Sequence, residues 1–173
     1  GLARTEALTA EAFERVDLAE VAKEAVNLYE PVAESEGCRL VGHTQPAVVE
    51  GVRPLLMQAV VNLIDNALKY GGAAANVGVW TETCNGRVIL SVTDDGPGID
   101  QDDYKRAVAR LTRLDASRTT PGSGLGLSIV SAVARAHGGT LSLHDNRPGL
   151  KVIINLPAVA GSGATPTAQT AAV

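Results

Sequence analysis

The apolar positions along the chain change period several times, and each change marks an element. Leu55, Leu56, Ala59, Val60, Leu63, Ile64, Ala67 and Leu68 recur at three- and four-residue spacing. This predicts a helix laid on a core, with Pro54 near its first turn and Gly71-Gly72 at its end. Leu18, Val21, Ala22, Ala25, Val26, Leu28, Tyr29 and Val32 predict an amphipathic helix running to about Glu36. Asp17 is its expected N-cap, with Glu20 completing a capping box. A third helix runs through about His137 and stops at Gly138-Gly139. Alternation predicts strands at Val77–Thr83 and Val88–Thr93, joined through Cys84-Asn85-Gly86 with an Asn-Gly hairpin signal. Arg39–Gly42 and Val48–Gly51 read as short strands around a polar turn. Leu141–His144 and Val152–Leu156 read as a hairpin around Asn146-Arg147-Pro148-Gly149.

These elements place one domain at residues 17–157. Residues 1–16 read as a helical remnant with a connector, and residues 158–173, which lack periodic core-forming positions, as a disordered tail. There is no internal repeat. At 173 residues, 45% hydrophobic but 3% aromatic, the chain predicts a sizeable core of Ala, Val, Leu and Ile. A net charge of −4 argues against a general nucleic-acid surface. No apolar run approaches the ~20 residues of a membrane span, and no secretory signal is read, so a cytoplasmic location is expected. Cys38 and Cys84, without metal spacing, are expected to be buried thiols. The missing initiating Met suggests a piece of a longer protein.

Polar residues interrupt the pattern in ways that suggest chemistry. Asn62 and Asn66 stand four apart in the central helix, with Lys69 and Tyr70 one turn later. Four residues advance about 400° around an α-helix, so the two amides stack on one face. Taken alone, they suit either a satisfied helix margin or a site for Mg²⁺ and the phosphates it carries. Amide oxygens are hard and add no negative charge beside a polyphosphate. The strand Val88–Thr93 runs into Asp94-Asp95-Gly96-Pro97-Gly98-Ile99. This is either a tight turn or a base pocket in which Asp94 accepts a hydrogen bond from the adenine amine. Gly96 and Gly98 would then let the backbone close on the ring.

Gly122-Ser123-Gly124-Leu125-Gly126-Leu127 presents backbone N–H groups and a helix N-terminus to an anion, with Ser123 a further donor. It is neither a Rossmann fingerprint nor a Walker A loop, since no strand leads into it and no Lys-Ser/Thr follows. Between the two glycine motifs, Lys105, Arg106, Arg110, Arg113 and Arg118 outnumber Asp102, Asp103 and Asp115. The segment is a candidate lid over a polyphosphate, or a solvated charged loop.

The succession NLIDNALKY, DDGPGI, a lid, GSGLGLSIV and AHGG resembles the catalytic and ATP-binding domain of sensor histidine kinases. That domain belongs to a superfamily shared with DNA gyrase, the Bergerat-fold ATPases. The resemblance covers roughly Asp17 to Pro157. Gly1 to Ala7 looks like the last turns of a preceding dimerisation helix. The implied fold is a two-layer α/β sandwich, a mixed, largely antiparallel sheet covered on one face by three helices. The implied ligands are ATP and Mg²⁺. By resemblance, Asn66 is the chief Mg²⁺ ligand, and Asn62 contacts the metal or the phosphates. Lys69 reaches the phosphates, Tyr70 packs on adenine and Asp94 reads its amine. Gly96 and Gly98 shape the base pocket, and Gly122, Gly124 and Gly126 form the lid hinge. Ile99, Ser123, Leu125, Arg110 and Arg113 complete the nucleotide-contacting set.

ATP-hydrolysing relatives carry a Glu where Asn62 stands, and an amide cannot serve as a general base. That favours transfer of the γ-phosphoryl group over hydrolysis, with Asn62 and Lys69 as the catalytic pair. The chain departs from the family in its lid, where Ala107 to Arg113 reads AVARLTR instead of a Phe-rich box. His43, His137 and His144 all lack the surroundings of a phosphoacceptor. The implied acceptor is therefore a His on a separate dimerisation domain, with a response regulator beyond it. The fragment is expected to be a monomer and its parent a homodimer. An anti-sigma-factor-type Ser/Thr kinase and a nucleotide-binding pseudokinase are the alternative readings.

Overall fold

The computed structural model describes residues 12–96 and 127–159. Within them the chain runs β1 (Glu14–Asp17), α1 (Leu18–Ser35), β2 (Arg39–Thr44), β3 (Val48–Gly51), α2 (Arg53–Tyr70), β4 (Asn76–Cys84) and β5 (Arg87–Asp94). It resumes with α3 (Leu127–Ala136), β6 (Thr140–Asp145) and β7 (Leu150–Pro157). Five strands form one sheet in the order β2-β4-β5-β7-β6. Only its β2–β4 pair is parallel, so the sheet is mixed and mostly antiparallel, as the family resemblance implies.

Side chains alternate across a strand, and the alternation places the core. On β5, Val88, Leu90, Val92 and Asp94 are buried, while Ile89 and Thr93 between them are only partly so. They lie in register with Val79 and Thr81 of β4 and with Val152, Ile154 and Leu156 of β7. This face meets the apolar stripes of the three helices, including Leu63, Ile64 and Val130, in a single cluster. The other face of the sheet is open, with Trp80 43% exposed and stacked on His43 at 3.9 Å.

Several local expectations change. Residues 14–17 are a strand and not a connector, paired antiparallel with β3 from Glu14↔Gly51 to Asp17↔Val48. Only Val16 of that strand is buried, too little apolar alternation to show in the sequence. β2 and β3 do not pair with each other, because β3 joins β1 in a separate two-stranded sheet while β2 joins β4. The cap of α1 is Asp17, but its carboxylate accepts from Ala19 N–H at 2.9 Å, and Glu20 pairs with Lys23 instead of completing a box. Cys38 is buried as expected, whereas Cys84, at the tip of the β4–β5 hairpin, is exposed. The turn of that hairpin is as predicted, with Asn85 and Gly86 at φ of 52° and 76°. The C-terminal chain is placed as far as Val159, whose N–H donates to Val48 O at 3.0 Å. Residues 1–11 and 160–173 lie outside the described residues.

Candidate functional site

Two apolar elements each place one polar group on their buried face, and those groups meet. On β5 the inward series Val88, Leu90, Val92 continues to Asp94, which is only 4% exposed. On α2, Asn66 lies on the side of the buried Leu63 and Ala67, and it lines the same cavity as Asp94. Leu63, Val92, Leu127, Leu150 and Val152 supply apolar walls, and Tyr70, 42% exposed, stands at the end of the helix. The cavity holds about 10 Å³, room for roughly one water molecule, so a larger ligand enters only by widening it.

Burial pushes the Asp94 carboxyl above the usual aspartate range. Backbone N–H groups of Gly96 and Leu150 act against that shift, and neighbouring Asp95 adds to it. The Gly96 bond to Oδ1 is 3.1 Å long. Asn66 Nδ2 is buried and has no hydrogen-bond partner in the protein. Side-chain amide nitrogen and oxygen are interchangeable by a flip, so this amide offers an unused polar end in either orientation. An unpaired amide beside a buried carboxylate fits a ligand with both donor and acceptor groups. A single amide oxygen also suits a Mg²⁺ ion that arrives with most of its ligands already supplied by phosphates and water.

The neighbouring acid does a different job. Asp95 accepts from Asn76 N–H and from Asn76 Nδ2, each at 2.7 Å. These two bonds hold its carboxyl below the usual range and pin the loop to the start of β4. Gly96 closes the loop on the other side. A Cβ there would overlap the Gly71 carbonyl at the end of α2, so the first demand on this glycine comes from the chain itself.

Of the other predicted residues, Asn62 is half-buried one turn before Asn66 and Lys69 is exposed, and neither lines the cavity. Lys69 Nζ lies 3.3 Å from Asp65 Oδ2. Gly98, Ile99, Arg110, Arg113, Gly122, Ser123, Gly124, Leu125 and Gly126 lie outside the described residues, as does the candidate lid. Sequence reasoning missed Asn146 in the β6–β7 turn, Leu150 at the start of β7 and Asn76 at the start of β4, which bond the two acids. Its only signal near them was the Asn-Arg-Pro-Gly turn. A larger hollow of about 740 Å³ on the open face of the sheet contains none of the predicted residues. Its buried carboxyl and unpaired amide nitrogen make the smaller cavity the candidate site.

A mixed sheet under three helices, with a carboxylate and an amide converging near the end of α2, defines an α/β sandwich with a candidate ligand site. Residues 51–160 match the family described as "Histidine kinase-, DNA gyrase B-, and HSP90-like ATPase", and the chain belongs to it. The sensor protein CutS of Streptomyces coelicolor is 40% identical over 146 residues, which cover 82% of this chain and 35% of CutS. The chain therefore spans about a third of that relative's length. The solved mycobacterial sensor histidine kinase MprB superposes with a TM-score of 0.67 at 32% identity, covering 84% of this chain and 97% of that one. Full-length ShkA, solved in complex with AMPPNP, gives 0.72 at 26%, covering 88% and 32%. The domain is of the sensor-histidine-kinase ATP-binding type. Among the described residues no helix is long and apolar enough to cross a membrane.

Proposed function

We propose that this chain binds Mg-ATP between α2 and the Asp94 end of β5 and donates the γ-phosphoryl group to a His on a separate dimerisation domain. A response regulator would receive it from there. One observation carries the reading. The buried, unpaired amide nitrogen of Asn66 and the buried carboxyl of Asp94 line the same cavity. Asp94 accepts from the adenine amine, which selects adenine over guanine, and Tyr70 packs on the ring. Asn66 would hold Mg²⁺, with Asn62 on the metal or the phosphates, and the ion would neutralise charge on the transferred group. Lys69, exposed beside Asp65, would turn to the phosphates. An amide at position 62 gives water no general base, so bound ATP is kept for another acceptor. ShkA, similar in fold, binds an ATP analogue, which supports the reading.

The test is transfer. With radiolabelled ATP, the chain alone should bind nucleotide, hydrolyse it slowly and stay unlabelled. Adding a His-bearing dimerisation segment from its own parent should put acid-labile, base-stable label on that segment. Transfer would be slow, because the acceptor is no longer tethered. Label on Ser or Thr of an added partner would replace this reading with the anti-sigma-type kinase. Tight binding with no transfer to a rejoined acceptor would leave only a nucleotide-binding pseudokinase.

A further inference from the structure

The turn between β6 and β7 grips Asp94 at three points. Asn146 Nδ2 donates to the Asp94 carbonyl at 2.8 Å, across 52 positions of sequence. The Leu150 N–H bonds the Asp94 carboxylate. Gly149, at φ +103°, lies so close that a Cβ there would overlap the Asp94 carbonyl and come within 2.9 Å of Oδ1. The turn needs no help from the Asn146 side chain, because Asn146 N–H closes it on Gly149 O at 3.0 Å. The Asn146 amide is thus spent on the last residue of β5.

We propose that Asn146 is a positioning residue for base recognition, fixing the Asp94 backbone so that its carboxylate meets the nucleotide base at one distance and angle. Asp94 is the last residue of its strand, and the chain leaves it through the exposed Asp95 and then Gly96. There the β4 side is pinned through the Asp95 carboxylate and Asn76, while on the β7 side the Asp94 carbonyl is held by the Asn146 side chain. Without a tether on the Asp94 carbonyl, the end of β5 can shift away from the β6–β7 turn and carry the Asp94 Cα, and with it the carboxylate, out of place. The Asn146 bond removes that freedom. The inference rests on Asp94 reading the base, as proposed above, and assigns Asn146 no contact with nucleotide.

The experiment is a double-mutant cycle on the 173-residue chain, read by calorimetric titration with a non-hydrolysable ATP analogue and with inosine triphosphate. Inosine carries a carbonyl where adenine carries the amine, so it reports binding without Asp94 recognition. Asn146→Ala should weaken ATP-analogue binding roughly 2- to 10-fold, the worth of one neutral hydrogen bond, and leave inosine triphosphate unchanged. In an Asp94→Asn background the same change should have no effect on either ligand. A loss of equal size for both ligands, or one that persists in that background, would overturn the proposal and leave Asn146 a merely structural residue. So would an unchanged adenine preference in Asn146→Ala. Should that variant melt before titration, Asn146→Leu, which keeps the size but removes the donor without adding charge, gives the same readouts. A parent chain with no preference between the two ligands would instead refute base recognition by Asp94 itself.

Discussion

The candidate cavity between α2 and β5 and the joint around His137 both bury polar groups, and they treat them in opposite ways. At the joint both ring nitrogens are used. His137 Nε2 accepts from Val52 N–H at 3.0 Å, so Nδ1 carries the proton and donates to Val133 O at 2.7 Å. Phe13 stacks on the ring at 5.2 Å. One imidazole thereby ties the end of α3 to the start of α2, whose first residues lack a side-chain cap, and to the entry of β1. Asp17 behaves alike, accepting from Ala19 N–H and Ala47 N–H at 2.9 Å each. In the cavity, by contrast, Asn66 Nδ2 is left unpaired and Asp94 is kept where burial disfavours its charge. Satisfied buried groups fix a fold, whereas unsatisfied ones cost stability and persist where a ligand completes them.

That contrast can be broken by mutation, beginning at the joint. His137→Ala should destabilise the domain by roughly 2–4 kcal/mol, since it strands a buried N–H and opens a cavity. Denaturant unfolding measures this, and a loss below the cost of an ordinary surface change would show that the joint is dispensable.

Asp94→Asn should spare the fold and damage binding. Losing a hydrogen bond to a charged group, ~1.5–3 kcal/mol, weakens ATP-analogue affinity roughly 10- to 150-fold. Unfolding at neutral pH should show no lost stability, because burial already opposes the ionised carboxyl. Unchanged affinity in the folded variant would place the base elsewhere.

The pH dependence of the two processes should run in opposite directions at Asp94. Its folded-state pKa lies above its unfolded one, so its contribution to stability is complete below the unfolded pKa and is lost as pH rises through the folded value. Nucleotide binding needs the ionised form as acceptor. Affinity should therefore fall on acidification while the pH is still above the usual aspartate range. Titrations at successively lower pH, with Asp94→Asn as the flat control, check the sign.

Asn66→Ala should also leave stability nearly unchanged. Removing an unpaired amide should change unfolding free energy by no more than about 0.5 kcal/mol, or raise it. The variant should nonetheless lose the gain in nucleotide affinity that Mg²⁺ gives the parent. Affinity with and without Mg²⁺, set beside the melting curve, separates these outcomes.

Much of this was legible in the chain because periodicity is local. The stripe from Leu55 to Leu68 announces α2, and Val88, Leu90 and Val92 announce a strand with one apolar face. Extending that alternation one step puts Asp94, and not Asp95, on the core side. The pattern on α2 likewise puts Asn66 beside the apolar stripe. Spacing along the chain thus determined the three helices, the β4–β5 hairpin and the two polar residues that meet in the cavity. Tertiary structure decided what stands behind them. Strand order brings Asn146 and Leu150 to Asp94, the approach of two loops sets Gly96 against Gly71, and β1 finds β3 with only Val16 buried. A sequence period reports which face of an element avoids water. It carries no information on which distant N–H or carbonyl will lie across from that face, because this depends on register between elements far apart in the chain.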